Sequence, residues 1–238
     1  MKIAIITGSR SEFFILKNLI LKIQKSRKIK SSIIFTGSLL SSYFGDIYKY
    51  LKHKKIFNKF TADILIKGDT KKDIINSVSK GIKVFSSQLN IIKPDLVLVL
   101  GDRYEIFSAT VASCLSNFPL AHIHGGEVTQ GSIDDSFRHS ITKMSHLHFT
   151  ATNEYRKRVI QMGEKPENVF SVGGLGVDNI KTTKIYSKLE LEKKLKIKFL
   201  KKIILVTYHP ETLKKTSISS LQNLFNALKQ IKETTVIF

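Results

Sequence analysis

Short apolar runs and longer amphipathic segments alternate along the chain. The runs are typical of strands that are buried on both faces of a parallel sheet. They cover residues 2–7, 32–36, 63–66, 96–100, 120–123, 146–150 and 169–172. The segments between them show helical spacing, as at Phe14, Leu16, Leu19, Ile20 and Ile23. This alternation predicts an α/β fold with a doubly wound, Rossmann-like parallel sheet.

The same pattern predicts two domains of unequal completeness. The first spans residues 1–178 and carries the candidate carboxylates, and residues 179–201 form a charged linker and helix. A strand–helix–strand pattern restarts in residues 202–238. A piece of about 40 residues is too small to bury its own apolar faces. We therefore expect the beginning of a second Rossmann-like domain, in a chain truncated at its carboxyl end.

The formal net charge of +20 raises the question of a nucleic-acid partner. Only six of the 39 basic residues are arginine, and the lysines are scattered without interleaved aromatic stacking platforms. The charge therefore favours attraction of an anionic small substrate, and we expect no nucleic-acid partner.

Membrane and export signals are also missing from the sequence pattern. No apolar run approaches the ~20 residues of a membrane span. The amino-terminal run is too short for a signal peptide, so we expect a cytoplasmic protein without a membrane partner. The single cysteine, Cys114, lies in an apolar helical context and is predicted to be a core residue.

Ionisable residues cluster within residues 96–144, where two apolar runs each end in glycine. Parallel strands open into a ligand crevice at their carboxyl ends, so we expect these side chains to line one site. They are Asp102, Arg103, His124, Glu127, Asp134, Asp135 and His139.

Structural interpretations of these residues remain open. Asp102 could cap the next helix, and Asp134 and Asp135 could simply complement a helix dipole. The turn after the first strand places Arg10 at a helix N-terminus. That turn is either an anion site or an ordinary strand–helix connection.

Histidines alternate onto one face of two predicted strands, at His122 and His124 and again at His146 and His148. A metal site is conceivable, but the ligand set lacks cysteines and a clear geometry. We interpret them as substrate-contacting or packed neutral histidines and predict no metal site.

Five motifs together resemble the UDP-N-acetylglucosamine 2-epimerases. They are residues 7–12 (TGSRSE), 101–105 (GDRYE), 122–129 (HIHGGEVT), 133–143 (IDDSFRHSITK) and 209–210 (HP). The Gly-Gly-Glu and Asp-Asp-Ser-x-Arg-His blocks favour the hydrolysing branch, which feeds sialic-acid and legionaminic-acid synthesis. The resemblance implies a GT-B fold with a UDP-sugar as partner, no cofactor, and a homo-oligomer when full length.

The resemblance also implies a reaction and roles within it. The family removes the proton at C2 of the sugar, eliminates UDP to leave a glycal, and adds water to give the epimeric free sugar. By position, Arg10 would contact the diphosphate and Asp102 would be a catalytic acid or base. His124 stands where many relatives carry a catalytic glutamate, so either His124 or Glu127 takes that role.

The remaining candidates follow in the same way. Asp134 or Asp135 would supply the next carboxylate, and His209 would assist departure of the diphosphate. Arg103, Arg138 and His139 are expected to bind substrate. The rival interpretations are a non-hydrolysing epimerase, a GT-B glycosyltransferase, or a non-catalytic fragment of such an enzyme.

Overall fold

The computed structural model describes residues 1–45, 47–52, 58–68, 70–208 and 218–238. The chain forms two compact units. The first comprises Met1–Thr129 and Asp134–Lys181, and the second comprises Gln130–Ile133 and Thr182–Phe238.

Strands and helices alternate through the first unit. Its strands are β1 (Lys2–Thr7), β2 (Lys30–Thr36), β3 (Lys59–Ala62), β4 (Leu96–Leu100), β5 (Leu120–Ile123), β6 (Leu147–Thr150) and β7 (Val169–Ser171). Its helices are α1 (Arg10–Lys25), α2 (Ile47–Lys52), α3 (Lys71–Ile92), α4 (Tyr104–Leu115), α5 (Asp134–Lys143), α6 (Asn153–Gln161) and α7 (Leu175–Thr182), whose last residue belongs to the second unit.

The seven strands form one parallel sheet in the order β3-β2-β1-β4-β5-β6-β7. This confirms the predicted doubly wound α/β class. The strand order reverses between β1 and β4, so the loops that follow these two strands part at their carboxyl ends. That switch point is where open parallel sheets bind ligands.

Both faces of the sheet are covered, because alternate residues of each central strand point to opposite sides. Ala4 and Ile6 of β1 belong to a core cluster with Phe85 and Leu89 of α3. Residues of the opposite parity in the same strand join the second cluster, against α1. A strand buried on both faces needs an apolar residue at every position. The sequence therefore shows continuous apolar runs and no alternation of apolar with polar residues.

Helix ends follow local capping chemistry. Ser9 caps α1 and Thr70 caps α3, each in a capping box with the acidic residue three positions later. Helix α3 ends at Ile92, because a residue before a proline avoids the helical region, and Lys93 adopts a left-handed conformation with φ 49°.

The third strand was predicted at residues 63–66, but β3 is four residues earlier. Ile64 is fully buried in the core without pairing in the sheet, and the Ile66 N–H donates to Ser77 Oγ at 3.0 Å. An apolar run indicates that its residues are buried. A loop that fills the core has such a run as well as a strand does, so the run alone does not predict pairing in the sheet.

The prediction that Cys114 is a core residue is wrong, because Cys114 is exposed near the end of α4. Ala109, Ala112 and Ser113 form the buried side of that helix turn. The buried residues here include a serine and the exposed ones include Leu115, so the helix has no clear apolar stripe from which a buried face could be predicted.

The second unit contains α8 (Lys188–Leu195), β8 (Lys202–Leu205), α9 (Ile218–Lys229) and β9 (Thr234–Ile237). Strands β8 and β9 pair in parallel, in the predicted strand–helix–strand order. Ile203 and Leu205 of β8 are 48% and 75% exposed. Among the described residues of the whole chain, no helix is long and apolar enough to cross a membrane.

Candidate active site

Asp102 follows β4 at the carboxyl edge of the sheet and forms an ion pair with Arg138 of α5. The Arg138 side chain is 8% exposed and that of Asp102 is 20% exposed. Arg138 Nη1 also donates to Thr129 Oγ1 at 3.0 Å and lies 3.8 Å from Asp135 Oδ1. The guanidinium therefore joins the β4 loop, the β5 loop and α5 at one point.

The capping interpretation of Asp102 does not hold. Arg103 is the N-cap of α4 and makes no side-chain capping hydrogen bond, while the carboxylate of Asp102 is turned to Arg138. The carboxylate of Asp102 thus lies at the strand end, where open parallel sheets have their ligand crevice, and its catalytic role stays a prediction.

Burial is the largest electrostatic effect on the Asp102 carboxyl. Burial raises the pKa of its carboxyl above the usual range, and this outweighs the opposing effect of Arg138. The nearby carboxylates of Asp134 and Glu127 raise the pKa further. A carboxyl with a raised pKa in a strand-end crevice is suited to giving and taking a proton.

Asp135 has a structural task in this arrangement. Its Oδ1 accepts the N–H of Thr129 at 2.8 Å, which ties the β5 loop to the first turn of α5. Its Oδ2 lies 3.7 Å from Nε2 of His139. The charge of the neighbouring Asp134 raises the pKa of Asp102.

His124 and Glu127 lie side by side at the end of β5. Nδ1 of His124 is 3.4 Å from Oε1 of Glu127, so the two alternatives for the family glutamate form a pair. Nε2 of His124 is buried without a hydrogen-bond partner in the described structure. Burial lowers the pKa of the imidazole although Glu127 acts in the opposite direction, which favours a neutral ring.

The backbone of His124 is left-handed, with φ 65°. Its N–H donates to the carbonyl of Phe149 in β6 at 2.9 Å, which holds this conformation. A non-glycine residue pays a conformational cost there, and such residues cluster at functional sites.

The turn after β1 differs from the predicted anion site. The carboxylate of Glu12 accepts the N–H groups of Gly8 at 2.7 Å and Ser9 at 3.2 Å. These backbone donors are therefore occupied by the protein's own side chain. Arg10 is exposed at the first position of α1, and its predicted contact with a diphosphate remains a prediction.

Arg103 is held by carboxylates as well. Its guanidinium donates to both oxygens of Glu105, at 3.2 and 3.1 Å, and Nε lies 3.9 Å from Oε1 of Glu12. Burial and the charge of Glu105 raise the pKa of the Glu12 carboxyl to about 7. Sequence patterns did not indicate this cluster, because Glu12 and Glu105 resemble ordinary first-turn helix acids.

Of the paired histidines, His122 and His148 are packed, as one interpretation of the sequence held, whereas His146 is exposed. His122 and His148 have fully buried side chains, and both ring nitrogens of His122 are bonded within the protein. Among the described residues, no group of three or more metal-ligating side chains converges. His209 lies outside the described residues.

A family model described as UDP-N-acetylglucosamine 2-epimerase matches residues 21–238. Among curated relatives, the GDP/UDP-N,N'-diacetylbacillosamine 2-epimerase (hydrolyzing) of Campylobacter jejuni is 41% identical over 239 residues, covering 100% of this chain and 62% of the relative. The polysialic acid biosynthesis protein P7 of Escherichia coli is 39% identical over 234 residues, covering 98% of this chain and 60% of that protein. The chain thus spans about three fifths of the length of these relatives.

Solved structures share the fold. The UDP-GlcNAc 2-epimerase from Neisseria meningitidis, solved bound to UDP-GlcNAc, matches with a TM-score of 0.80 at 22% identity, over 99% of this chain and 65% of that chain. This likeness confirms the predicted GT-B-like α/β class. With the family match over most of its length, the chain belongs to the UDP-N-acetylglucosamine 2-epimerase family.

Proposed function

We propose that this chain carries the acid–base residues of a hydrolysing UDP-sugar 2-epimerase. The observation that carries the proposal is Asp102, whose carboxyl pairs with Arg138 and has a pKa raised by burial and by the charges of Asp134 and Glu127. His124 lies 3.4 Å from Glu127 at the end of β5. The relatives named as hydrolysing epimerases support the hydrolytic branch.

The proposed reaction has two stages. In the first, a base removes the C2 proton, the C1–O bond to UDP breaks with its electrons leaving on the diphosphate, and a C1–C2 double bond forms. In the second, water adds its hydroxyl to C1 while C2 takes a proton on the opposite face. The products are UDP and the 2-epimeric free sugar.

The side chains divide this work by their protonation states. A C2 hydrogen of a sugar is barely acidic, so a positioned base is required. Neutral His124, oriented by Glu127, offers the unpartnered Nε2 for that proton. The Asp102 carboxyl, with its raised pKa, is the proposed acid that exchanges a proton with the sugar.

The proposed substrate is a UDP-linked N-acetylated amino sugar that supplies sialic-acid or legionaminic-acid synthesis in the cytoplasm. The names of the Campylobacter jejuni and Escherichia coli relatives support this class. The high lysine content would attract the anionic nucleotide sugar rather than nucleic acid. UDP-GlcNAc and UDP-N,N'-diacetylbacillosamine are the two substrates to compare.

The test measures UDP release from both substrates. The proteins are the chain itself and the chain joined to the part of the Campylobacter jejuni relative that it does not match. Turnover in D2O should give a free sugar with one deuterium at C2, whereas a non-hydrolysing enzyme would return a UDP-linked epimer. If neither protein releases UDP and neither forms an epimer, the proposal is refuted.

Asp102→Asn should lower turnover of the active protein by about 100-fold or more, because it removes the exchangeable proton at constant shape. Asp95→Asn is the matched control. Asp95 precedes the same strand at its opposite end, where its carboxylate accepts the Lys2 N–H at 2.7 Å. Equal turnover in the two variants, with equal melting temperatures, would remove Asp102 from the mechanism.

A further inference from the structure

His122 of β5 bonds both to the residue before Asp102 and to the helix that carries Arg138. We propose that His122 is a positioning residue, which through Gly101 and Thr142 fixes Asp102 against Arg138. The part of this proposal that concerns turnover rests on the proposed function, and the part that concerns geometry does not.

Two hydrogen bonds define the link. Nε2 of His122 lies 2.9 Å from the carbonyl oxygen of Gly101, the residue before Asp102. Nδ1 lies 3.1 Å from Oγ1 of Thr142, one helical turn after Arg138 in α5. One imidazole therefore spans the end of β4 and the helix that supplies the guanidinium.

The ring has a defined protonation state. A carbonyl oxygen only accepts, so Nε2 must carry the hydrogen that it donates to Gly101. Burial lowers the pKa of His122 to about 3, which keeps the ring neutral and leaves Nδ1 as an acceptor. The hydroxyl of Thr142 must then donate to Nδ1, although the Arg138 carbonyl lies at an equal distance of 3.1 Å.

Gly101 is held through both its N–H and its carbonyl. Its N–H donates to the carbonyl of Ile123 in β5 at 3.1 Å, and its own carbonyl accepts from His122. Gly101 adopts φ 79°, a conformation that favours glycine. Gly101, which precedes Asp102 at the strand end, is thus hydrogen-bonded to β5 twice.

The loop after β5 leaves room for the hydrogen bond between His122 and Thr142. A Cβ on Gly125 would lie 3.0 Å from both Nδ1 of His122 and Oγ1 of Thr142. That contact is tighter than ordinary van der Waals packing, so glycine lets the loop pass directly over the imidazole–hydroxyl pair.

His148 provides a matched comparison within the same sheet. It is the register partner of His122 in β6 and has a fully buried side chain. Its Nε2 lies 3.1 Å from Glu164 Oε2, and the other oxygen of Glu164 binds Lys143 at 2.5 Å. His148 is therefore a buried histidine whose ring bonds to Glu164, and neither to Gly101 nor to Thr142.

The test compares His122→Gln, Thr142→Val and Thr142→Ser with the control His148→Gln in the full chain. The first readout is the carboxyl carbon-13 titration of Asp102. We expect its pKa to rise in His122→Gln and Thr142→Val, because a loosened pair loses the lowering effect of Arg138. Thr142→Ser keeps the hydroxyl and should restore the parent titration, and His148→Gln should not change it.

The second readout is turnover of the active protein. A displaced Asp102 should lower kcat by about tenfold or more with little change in KM, because misplacement of a reacting group acts on the chemical step. If His122→Gln does not fold, the two Thr142 variants decide the question. An Asp102 titration that is the same in Thr142→Val, Thr142→Ser and parent would overturn the proposal even if no epimerase activity is found.

Discussion

Three ionisable side chains near the β1–β4 switch point show how burial sets protonation at the scale of single residues. Burial raises the pKa of the carboxyls of Asp102 and Glu12 and lowers that of the His122 imidazole. In each case desolvation of the charged form is the largest effect, and neighbouring charges modify it. The consequences differ, because Asp102 faces the crevice whereas Glu12 and His122 are enclosed by protein.

Glu12 should make stability depend on pH. Its folded-state pKa of about 7 lies above the ordinary value of 4.5, so the folded protein binds the proton more tightly. The stabilisation is complete below about pH 4.5 and is lost as pH rises through 7, with a total on the order of 3 kcal/mol. Glu12→Gln keeps an acceptor for the N–H groups of Gly8 and Ser9. Its free energy of unfolding, measured with urea, should not show this decrease with pH.

Glu154→Gln is the control for this measurement, because the Glu154 side chain is 75% exposed. It should retain the pH dependence of the parent. A Glu12→Gln protein whose unfolding free energy falls between pH 4.5 and 7 as steeply as the parent's would contradict the assignment.

At the scale of elements, the site depends on how closely the β5 loop packs on α6. Gly126 has φ 81°, and a Cβ there would lie 2.5 Å from the Tyr155 carbonyl oxygen and 2.9 Å from Val159 Cγ2. Arg158 of the same helix donates to the Gly126 carbonyl. The helix thus fixes the loop immediately before Glu127.

Gly126→Ala should therefore lower the free energy of unfolding by about 1–3 kcal/mol. Gly176→Ala makes the same substitution in α7, where an added Cβ meets nothing within 4 Å. It should stabilise the protein by about 0.4–1 kcal/mol, because alanine restricts the unfolded chain. Urea denaturation of both variants measures these two effects. Equal denaturation midpoints would show that the structure around Gly126 accommodates the added Cβ without loss of stability.

The elements themselves were largely predictable, whereas the contacts between them were not. Asp102 was found because it follows an apolar run and a glycine. Its partner Arg138 lies 36 residues away with no pattern linking them, and the bonds of His122 also join distant segments. Ile64 shows the same limit, since burial is encoded locally but sheet pairing is decided by the rest of the fold.

At the scale of the whole molecule, charge is the dominant property. The formal net charge is +20, and lysines supply most of the positive charge. Such a surface attracts any polyanion by counterion release, without reading a sequence. We expect solubility and attraction of anions to follow from this charge, and specificity to come from the site.

Any DNA binding should therefore be lost as ionic strength approaches 0.15 M, where the screening length is about 8 Å. Fluorescence anisotropy with two unrelated duplexes, and with polyglutamate as a competitor, measures this. Both duplexes should bind equally at low salt and be displaced by polyglutamate. Binding that prefers one duplex and persists at physiological salt would restore a nucleic-acid function.

The central place of β1 has a consequence for how the chain folds as it is made. This first strand pairs with β4 through Ile3 with Leu96 and Ile5 with Leu98, so its partner is synthesised far later. Contacts of such large sequence separation form slowly, because a long loop must close first. A nascent chain that ends before β4 can pair β1 only with β2, and its other edge stays open. Asp102 and the crevice beside it therefore form only after the ribosome has made the middle of the protein.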